Sequence, residues 1–443
     1  MRYKKALLTA PLLFLAMVAV YNANGREIGS YDTQPAKLTA IALARDGTLA
    51  LDNVVATTPA LGVRSAFAVD RHGHRRTAYS VVPAVLAGGL AAALSAAHLV
   101  DLREPRAANL IAKLTASVLT ALAVALAFLI ARRRLAQAPA LALAIGLGLG
   151  TNYWAQVSQT LWQTETAVVA LTGALFCLCV PVVELSTRRL WQASLLLGLA
   201  GAARPQLGPA IAILALSMVT RRGRRSDMVI LSPLAIIAIL VMALNIAWFG
   251  HPLGVMPTLE ALHPAVHGVG SSLGSPVVGG LGLLFSPSRG LLVFSPILVV
   301  ALAAWPALRA SSWRDDLRWC CAAALGQFAA YACYAVWWGG HTYGPRYLND
   351  VLPLIVPLAA AGLPWWLDIP WRRVVAAVAL AWSILIAGAG AFVYPYEGWN
   401  VLPIDVDTDH GRLWEWKDPQ FLRCWVAGPS PKNLSLFKAA PPR

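Results

Sequence analysis

The chain has 443 residues, of which 58% are hydrophobic and 13% are charged, and its mean hydropathy is +0.60. These values exclude an ordinary soluble protein and indicate a polytopic membrane protein. The formal net charge is +15, but the basic residues stand in short clusters between apolar runs. Such clusters are typical of loops that face the cytoplasm and anionic lipid, so no nucleic-acid partner is expected.

The first predicted element is an apolar helix near residues 5 to 21, which follows the basic start MRYKK. We interpret this helix as an uncleaved membrane span, because many further spans follow it. A span needs about 20 mainly apolar residues, somewhat fewer in tightly packed bundles, and on this basis we predict about eleven spans. The remaining ones lie near residues 107–131, 136–151, 166–183, 190–203, 206–220, 228–249, 290–307, 319–337, 351–366 and 373–392.

The stretch of residues 79 to 100 decides the orientation of everything that follows it. If it is a helix lying in the outer interface, the basic clusters fall in the cytoplasm together with the amino terminus, as the positive-inside rule requires. These clusters are Arg132 to Arg134, Arg188 with Arg189, Arg221 to Arg225, Arg314 with Arg318, and Arg372 with Arg373. The segments then predicted to face outward are 22–106, 250–289, 338–350 and a tail, 393–443.

Two acidic residues are candidates for chemistry at the outer face. Asp32 lies in GSYDTQP about ten residues after the first span, in a turn whose Gly and Pro would hold a carboxylate in place. Glu165, in SQTLWQTETAVV, opens the fourth span. The alternatives are a solvated loop acid for Asp32 and a helix-start acid for Glu165. Two such carboxylates can divide the work of accepting a proton and orienting a hydroxyl.

Basic and polar residues of the outer segments are candidates for binding an anion. Arg204, in LAGAARPQLGPA, lies near hydrocarbon and therefore needs an anionic partner, either a protein carboxylate or a lipid phosphate. Arg346, in WWGGHTYGPRYLND, has His341 and Tyr343 nearby, although a helical pair with Asp350 is an equally weighted alternative. Further candidates are Arg75 and Arg76, with ordinary headgroup anchors as the default interpretation.

Other chemistries find little support in the sequence. The six cysteines lie mostly in apolar runs and predict neither a disulfide nor a metal site. Asp405 and Asp407 form an Asp-x-Asp tripeptide, but that pattern is common by chance, and His72 with His74 lack further ligands at zinc-site spacing. No Walker phosphate loop or G-x-S-x-G elbow is present. We therefore expect neither a metal nor a cofactor.

The layout of these features resembles the GT-C membrane glycosyltransferases, a superfamily that includes protein O-mannosyltransferases and the aminoarabinose transferases that modify lipid A. Several stretches are similar to a poorly characterised bacterial branch of it. They are GSYDTQPAKLTAIALARDGTLALD, GLAGAARPQ, SRGLLVFSP, WWGGHTYGPRYLNDVLP and YPYEGWNVLPIDVDTDHGRLWEWKDPQFLR. That branch often carries His-Gly after LWQ, where this chain has Thr164 and Glu165.

The resemblance implies an all-α polytopic bundle in the cytoplasmic membrane, with interfacial helices in its long first outer loop. Residues 1–250 would form the catalytic module, including loop 22–106. Residues 251–392 would form a second membrane module with outer loops 250–289 and 338–350. Residues 393–443 would be the tail on the outer face.

The resemblance also implies the reaction. The donor would be a sugar on a polyprenyl phosphate, which is a substrate rather than a cofactor, and the acceptor would be a glycan, lipid or protein of the envelope. The implied catalytic residues are Asp32, as general base, and Glu165. The implied donor-phosphate ligands are Arg204, Arg346, Tyr343, His341 and Arg76. Transfer would occur on the outer face with inversion at the anomeric carbon.

Two other classes of function remain open from the residues. A transporter or flippase for a lipid-linked glycan would also place basic residues near a membrane boundary, but it should carry ionisable groups near the bilayer midplane and show repeat symmetry. A non-catalytic assembly subunit would use the outer tail to bind an envelope partner. The predicted spans carry almost no charge at their centres and no internal repeat, which favours the enzyme over the transporter.

Overall fold

The computed structural model describes residues 2–57, 67–221, 229–259, 267–310 and 314–438. The predicted basic residues at 222–225 and parts of two predicted outer loops, at 58–66 and 260–266, lie outside the described residues. Within the described residues the chain is a bundle of helices, and its two strands form a small antiparallel sheet in the loop predicted to be the first outer one.

The regular elements follow the apolar runs of the sequence. The helices are α1 (Arg2–Asn22), α2 (Gln34–Asp46), α3 (Asp52–Thr57), α4 (Val82–Ala96), α5 (Ala107–Arg132), α6 (Gln137–Leu149), α7 (Thr164–Leu178), α8 (Thr187–Ala203), α9 (Gly208–Thr220), α10 (Ser232–Phe249), α11 (Pro276–Phe285), α12 (Leu291–Phe294), α13 (Ala307–Ala310), α14 (Arg314–Ala332), α15 (Leu352–Leu367), α16 (Pro370–Val393) and α17 (Gln420–Ala427). The strands are β1 (Phe67–Val69) and β2 (Arg75–Thr77), with Phe67 opposite Thr77.

Two regions differ from the sequence prediction. The predicted span at 290–307 is the short helix α12 followed by a 3-10 helix, Pro296–Ala304, because Pro296 cannot continue an α-helix that starts before it. The segment 250–289, predicted as an outer loop, contains α11, which Ser275 caps by accepting a hydrogen bond from the backbone N–H of Val278 at 3.4 Å.

Three of the described helices are long and apolar enough to cross a membrane: Ala107–Arg132, Val229–Phe249 and Pro370–Val393. Shorter apolar helices occur at Leu8–Asn22, Val82–Ala96, Gln137–Leu149, Thr164–Leu178, Pro205–Thr220, Pro276–Phe285 and Leu352–Leu367. The count of about eleven spans, derived from a minimum of about 20 apolar residues each, therefore stays a prediction. So does the interfacial position of residues 79–100, where the structure contains the 15-residue helix α4.

The helices pack in a continuous series through small residues. Helix α1 packs on α5, α5 on α7, α7 on α8, and α8 on α10. Helix α15 packs so closely on the 3-10 helix Pro296–Ala304 that a Cβ atom at Gly362 would lie 2.2 Å from the carbonyl oxygen of Val300. Close backbone approach of this kind is how membrane helices gain packing energy, since lipid offers little hydrophobic driving force between them.

Three arginines of the predicted cytoplasmic clusters meet at one end of the bundle. Arg133 and Arg221 both donate hydrogen bonds to backbone carbonyls around the end of α7, at 2.6 to 3.0 Å. Arg134 forms an ion pair with Asp316 of α14 at 2.5 Å. These cations therefore satisfy helix carbonyls and one carboxylate, as expected at helix carboxyl ends.

The tail folds back onto the segment that follows α1. The backbone N–H groups of Leu434 and Leu436 donate to the carbonyls of Asn24 and Gly25 at 2.8 and 2.9 Å. The fully buried Arg289, from the SRGLLVFSP stretch, links the tail to the outer loops through five neutral acceptors. They are the carbonyls of Ser288, Trp338 and Gly340 and the side-chain oxygens of Asn400 and Gln420. Burial lowers the pKa of Arg289 to about 10, so this guanidinium stays charged near neutral pH.

Candidate active site

Asp32 lies in a 3-10 turn, Tyr31–Thr33, whose backbone is fixed by local hydrogen bonds. Ser30 accepts from the backbone N–H of Asp32 at 3.2 Å, and the Thr33 hydroxyl accepts from the backbone N–H of Ser30 at 3.1 Å. Helix α2 begins directly after the turn with Pro35 in its first turn, where proline is well tolerated. The carboxylate of Asp32 is therefore held at the start of a helix, with 32% of its side chain exposed.

Arg346 lies opposite Asp32. One of its terminal nitrogens is 3.6 Å from Asp32 Oδ2, and we call these two residues the open pair. The guanidinium lies over the ring of Trp162, 4.6 Å from its centroid, and donates to the carbonyl of Gly339 at 3.3 Å. Because Gly339 has φ of +77°, a conformation that favours glycine, the loop can bring this carbonyl back to the arginine.

Arg204 has the anionic partner expected for it, and that partner is Asp350. Arg204 Nε donates to Asp350 Oδ2 at 2.6 Å, and the Tyr331 hydroxyl donates to the same oxygen. We call Arg204 and Asp350 the buried pair, because their side chains are 6% and 0% exposed. Pro205 disfavours helical geometry at Arg204, so α8 ends at Ala203 and Arg204 adopts an extended conformation.

The helical pair of Arg346 with Asp350 is not present. Both residues belong to a 3-10 helix, Arg346–Asp350, which has about three residues per turn, so residues four apart do not lie on one face. One end of this short helix consequently contributes to the open pair and the other to the buried pair. The two pairs are thus connected by five residues of chain.

Glu165 is fully buried in the first turn of α7. Its Oε1 lies 3.5 Å from the Thr166 hydroxyl, and its Oε2 has no hydrogen-bond partner among the described residues. Burial disfavours the charged form of this carboxylate, and the nearby charge of Arg204 only partly offsets that effect. Glu165 therefore belongs with the buried pair, and burial separates it from solvent in this structure. Its catalytic role stays a prediction.

The other three predicted phosphate ligands have protein partners. Tyr343 is fully buried and donates to the carbonyl of Ile386 at 2.8 Å. His341 Nε2 lies 2.9 Å from Asp405 Oδ1. Arg76 Nε donates to Asp70 Oδ2 at 2.9 Å and its guanidinium lies over Trp248. Their phosphate roles stay predictions without direct support from these contacts.

The ion pair between Arg76 and Asp70 is reflected in the pKa of Asp70. Burial alone would raise the pKa of Asp70, but the hydrogen bond from Arg76 and those from the backbone N–H groups of His74 and His72 outweigh it and bring the pKa to about 2. The pair therefore fixes the β1–β2 hairpin and places Arg76 against α10, where Trp248 is located.

An apolar cavity of about 480 Å³ lies between α8, α9, α10 and the segment that precedes α4. The cavity lies close to both pairs, because two residues of its lining are chain neighbours of residues at the pairs. Gln163 follows Trp162, over which Arg346 lies, and Pro205 follows Arg204. The lining includes Thr77, Tyr79, Gln163, Leu197, Gly201, Pro205, Gly208, Ile211, Val241, Asn245 and Trp248. A cavity of this character suits a hydrocarbon chain.

A second cavity, of about 640 Å³ and with a more polar lining than the first, lies beside α2. Gln34, two residues after Asp32, contributes to its wall together with Arg45, Arg103 and Asn109. The Asp32 turn therefore lies at the start of a helix that borders a polar cavity.

Sequence reasoning missed several residues of this region. Trp162 and Gln163 were present in the LWQ motif, but nothing in one sequence indicates that Arg346 lies over the tryptophan. Glu27 forms a buried ion pair with Lys37 at 2.9 Å. The buried Lys37 gave no signal, because a lysine in a predicted loop is ordinarily exposed.

The helical fold of this chain is similar to that of a GT-C membrane glycosyltransferase, ArnT from Cupriavidus metallidurans. Two structures of ArnT are among the solved structures that it resembles. Its apo form has a TM-score of 0.50 at 12% identity, covering 93% of this chain and 68% of that one. The form bound to undecaprenyl phosphate has a TM-score of 0.49 at 13% identity, covering 95% and 76%. No family model matches the sequence, and no curated protein does.

Proposed function

We propose that this protein is an integral membrane glycosyltransferase that moves a sugar from a polyprenyl-phosphate donor to an envelope acceptor. The observation that carries the proposal is the open pair, in which a fixed, partly exposed carboxylate faces a guanidinium at 3.6 Å. This is the minimum set that glycosyl transfer from a lipid phosphate requires, namely a base for the acceptor and a cation for the leaving group. The GT-C fold supports the same class of reaction.

In the proposed step, the acceptor hydroxyl attacks the anomeric carbon on the side opposite the phosphate. The new bond joins the acceptor oxygen to that carbon, and the bond from carbon to the phosphate oxygen breaks with its electron pair. The proton of the hydroxyl passes to Asp32, and the lipid phosphate leaves as an anion held by Arg346. Attack from the opposite side inverts the configuration at the anomeric carbon.

Substrate must separate the two members of the open pair. A distance of 3.6 Å is longer than that of a strong charge-assisted hydrogen bond, which is about 2.7–2.9 Å, so little direct bonding is lost when substrate enters between them. Trp162 and Gly339 then keep the guanidinium in place without Asp32. We assign Arg204 a positioning role, since its bond to Asp350 anchors the short helix that begins with Arg346.

The two cavities suit the two substrates. The apolar cavity would take the polyprenyl chain, with its phosphate near Gln163 and Arg346. The polar cavity beside α2 would take the acceptor, with a hydroxyl reaching Asp32. We propose that the site and the tail face the outside of the cytoplasmic membrane, where sugars on lipid phosphates are the available donors and nucleotide sugars are not.

The test is sugar transfer by the purified full chain, supplied with a panel of polyprenyl-phosphate sugars and membrane acceptors. Asp32→Asn should reduce the rate by about 10²- to 10⁴-fold, the usual contribution of a general base. Asp101→Asn, an exposed acid of the same outer loop, is the matched control and should keep full activity. Transfer that is undiminished in Asp32→Asn would show that Asp32 is not the base.

A further inference from the structure

Two separate segments of the outer region meet at one cluster of three ligating atoms. His341 comes from the loop that leads to Arg346, and Asp405 and Asp407 come from the tail. Asp405 Oδ1 lies 2.9 Å and Asp407 Oδ2 lies 3.6 Å from His341 Nε2, and all three atoms lie within 4.8 Å of one another. These residues are distinct from the open pair.

The two separations from His341 Nε2 match the edges of a metal coordination shell. With bonds of about 2.0–2.2 Å, two neighbouring ligands of an octahedral or tetrahedral cation are about 2.8–3.6 Å apart. Both distances to His341 Nε2 are close to this range. An imidazole nitrogen with two carboxylate oxygens is a donor set that zinc and other first-row divalent cations accept.

Groups around the cluster hold Asp407 in a ligating orientation. Trp338 Nε1 donates to Asp407 Oδ1 at 2.7 Å, and His267 Nδ1 lies 2.8 Å from Asp407 Oδ2. Orientation of metal-binding carboxylates by such neighbours is a regular feature of metal sites.

The cluster is accessible to a cation from solvent. The side chains of His341 and Asp405 are 42% and 38% exposed, while that of Asp407 is 16% exposed. The tail turn is preformed, because Asp405 Oδ1 accepts the backbone N–H of Asp407 at 2.9 Å. Gly340, with φ of +68°, shapes the loop immediately before His341.

We infer that His341, Asp405 and Asp407 form a binding site for a first-row divalent cation, with zinc as the best fit, which fastens the tail to the loop carrying Arg346. The cation has three protein ligands, and its remaining coordination positions face solvent. This departs from the expectation of no metal, which considered the spacing of His72 and His74 and dismissed the Asp-x-Asp tripeptide as chance.

The experiment measures metal binding by the untagged full chain after chelator treatment and dialysis. Zinc is added, excess is removed by desalting, and bound zinc is counted by mass spectrometry. Wild type should retain about one zinc per chain, whereas His341→Ala and Asp405→Asn should retain less than about a tenth, because each loses a ligand. The control His72→Ala should behave as wild type, since His72 is exposed and outside the cluster.

Cobalt gives an independent readout, because a protein-bound ion has visible absorption that free aqueous cobalt lacks. The spectrum should appear in wild type and be absent in Asp405→Asn. Zinc should also slow hydrogen exchange in residues 400–409 of wild type. A wild type that binds no zinc, variants that bind as much as wild type, or exchange that zinc does not change would each overturn the inference.

Discussion

The two ion pairs that share the 3-10 helix Arg346–Asp350 differ in every respect that matters for function. The buried pair has a separation of 2.6 Å and side chains that are 6% and 0% exposed. The open pair has a separation of 3.6 Å and side chains that are 18% and 32% exposed. Charges that are fully desolvated depend on each other, whereas partly exposed charges can exchange partners with water or substrate. We therefore propose a structural role for the buried pair and a catalytic role for the open pair.

The largest expected effect comes from breaking the buried pair. Arg204→Met leaves the carboxylate of Asp350 buried without its cation, which should lower the free energy of unfolding by about 3–5 kcal/mol. Thermal or denaturant unfolding of the purified protein in detergent measures it.

A double variant sharpens this prediction. Arg204→Met with Asp350→Asn removes both charges and keeps an acceptor for the Tyr331 hydroxyl, so it should recover a large part of the lost stability. If the single variant costs less than about 1 kcal/mol, as for exposed ion pairs, the buried pair does not have the structural role assigned to it.

The second effect concerns the open pair. Arg346→Met should change the free energy of unfolding by less than about 1 kcal/mol, because the pair is partly exposed. The same variant should reduce sugar transfer by about 10²- to 10³-fold, the usual loss when a donor that stabilises developing negative charge is removed. Arg75→Met, an exposed cation of the same outer face, serves as the control and should retain activity. Equal activities of the two variants would contradict the role of Arg346.

The smallest expected effect comes from a substitution in the apolar cavity, which tests donor binding separately from catalysis. A Cβ atom at Gly208 would have no heavy atom within 4 Å, and Gly208 contributes to the cavity lining. Gly208→Leu should therefore fold normally but occupy part of the cavity and raise the KM for donor about tenfold, which corresponds to about 1.4 kcal/mol. Gly89→Leu is a matched control, because a Cβ atom at Gly89 also has open space and Gly89 lies outside the lining. An unchanged KM in Gly208→Leu would remove the cavity from the donor site.

Much of the helical layout could be predicted because apolar runs of sufficient length have few alternatives in a membrane protein. The runs that became α5, α10 and α16 are the clearest cases. The helix type differed from the expectation at residues 290–307, where a proline within the apolar run divides it into a short helix and a 3-10 segment. Composition reports burial, whereas the type of helix depends on single residues.

The candidate site was only partly predictable. The apolar setting of Arg204 predicted that it would have an anionic partner. That this partner is Asp350 could not be predicted, because it depends on Arg346–Asp350 being a 3-10 helix rather than an α-helix. On an α-helix the spacing of four residues would allow Arg346 to pair with Asp350. On a 3-10 helix, with about three residues per turn, these two side chains lie on different faces. His341 is 64 residues away from Asp405 along the chain, so its meeting with Asp405 and Asp407 was outside the reach of spacing arguments.

The four residues from Trp162 to Glu165 connect three parts of the candidate site. Trp162 lies under Arg346, Gln163 lines the apolar cavity, and Glu165 interacts with Arg204. Because packed interiors transmit displacements rather than absorb them, a shift of these four residues would be felt at all three places. A ligand that displaced this segment from the cavity side would therefore also displace the Arg346 cation, and by thermodynamic reciprocity an anion at Arg346 would change the affinity of the cavity for that ligand by the same factor.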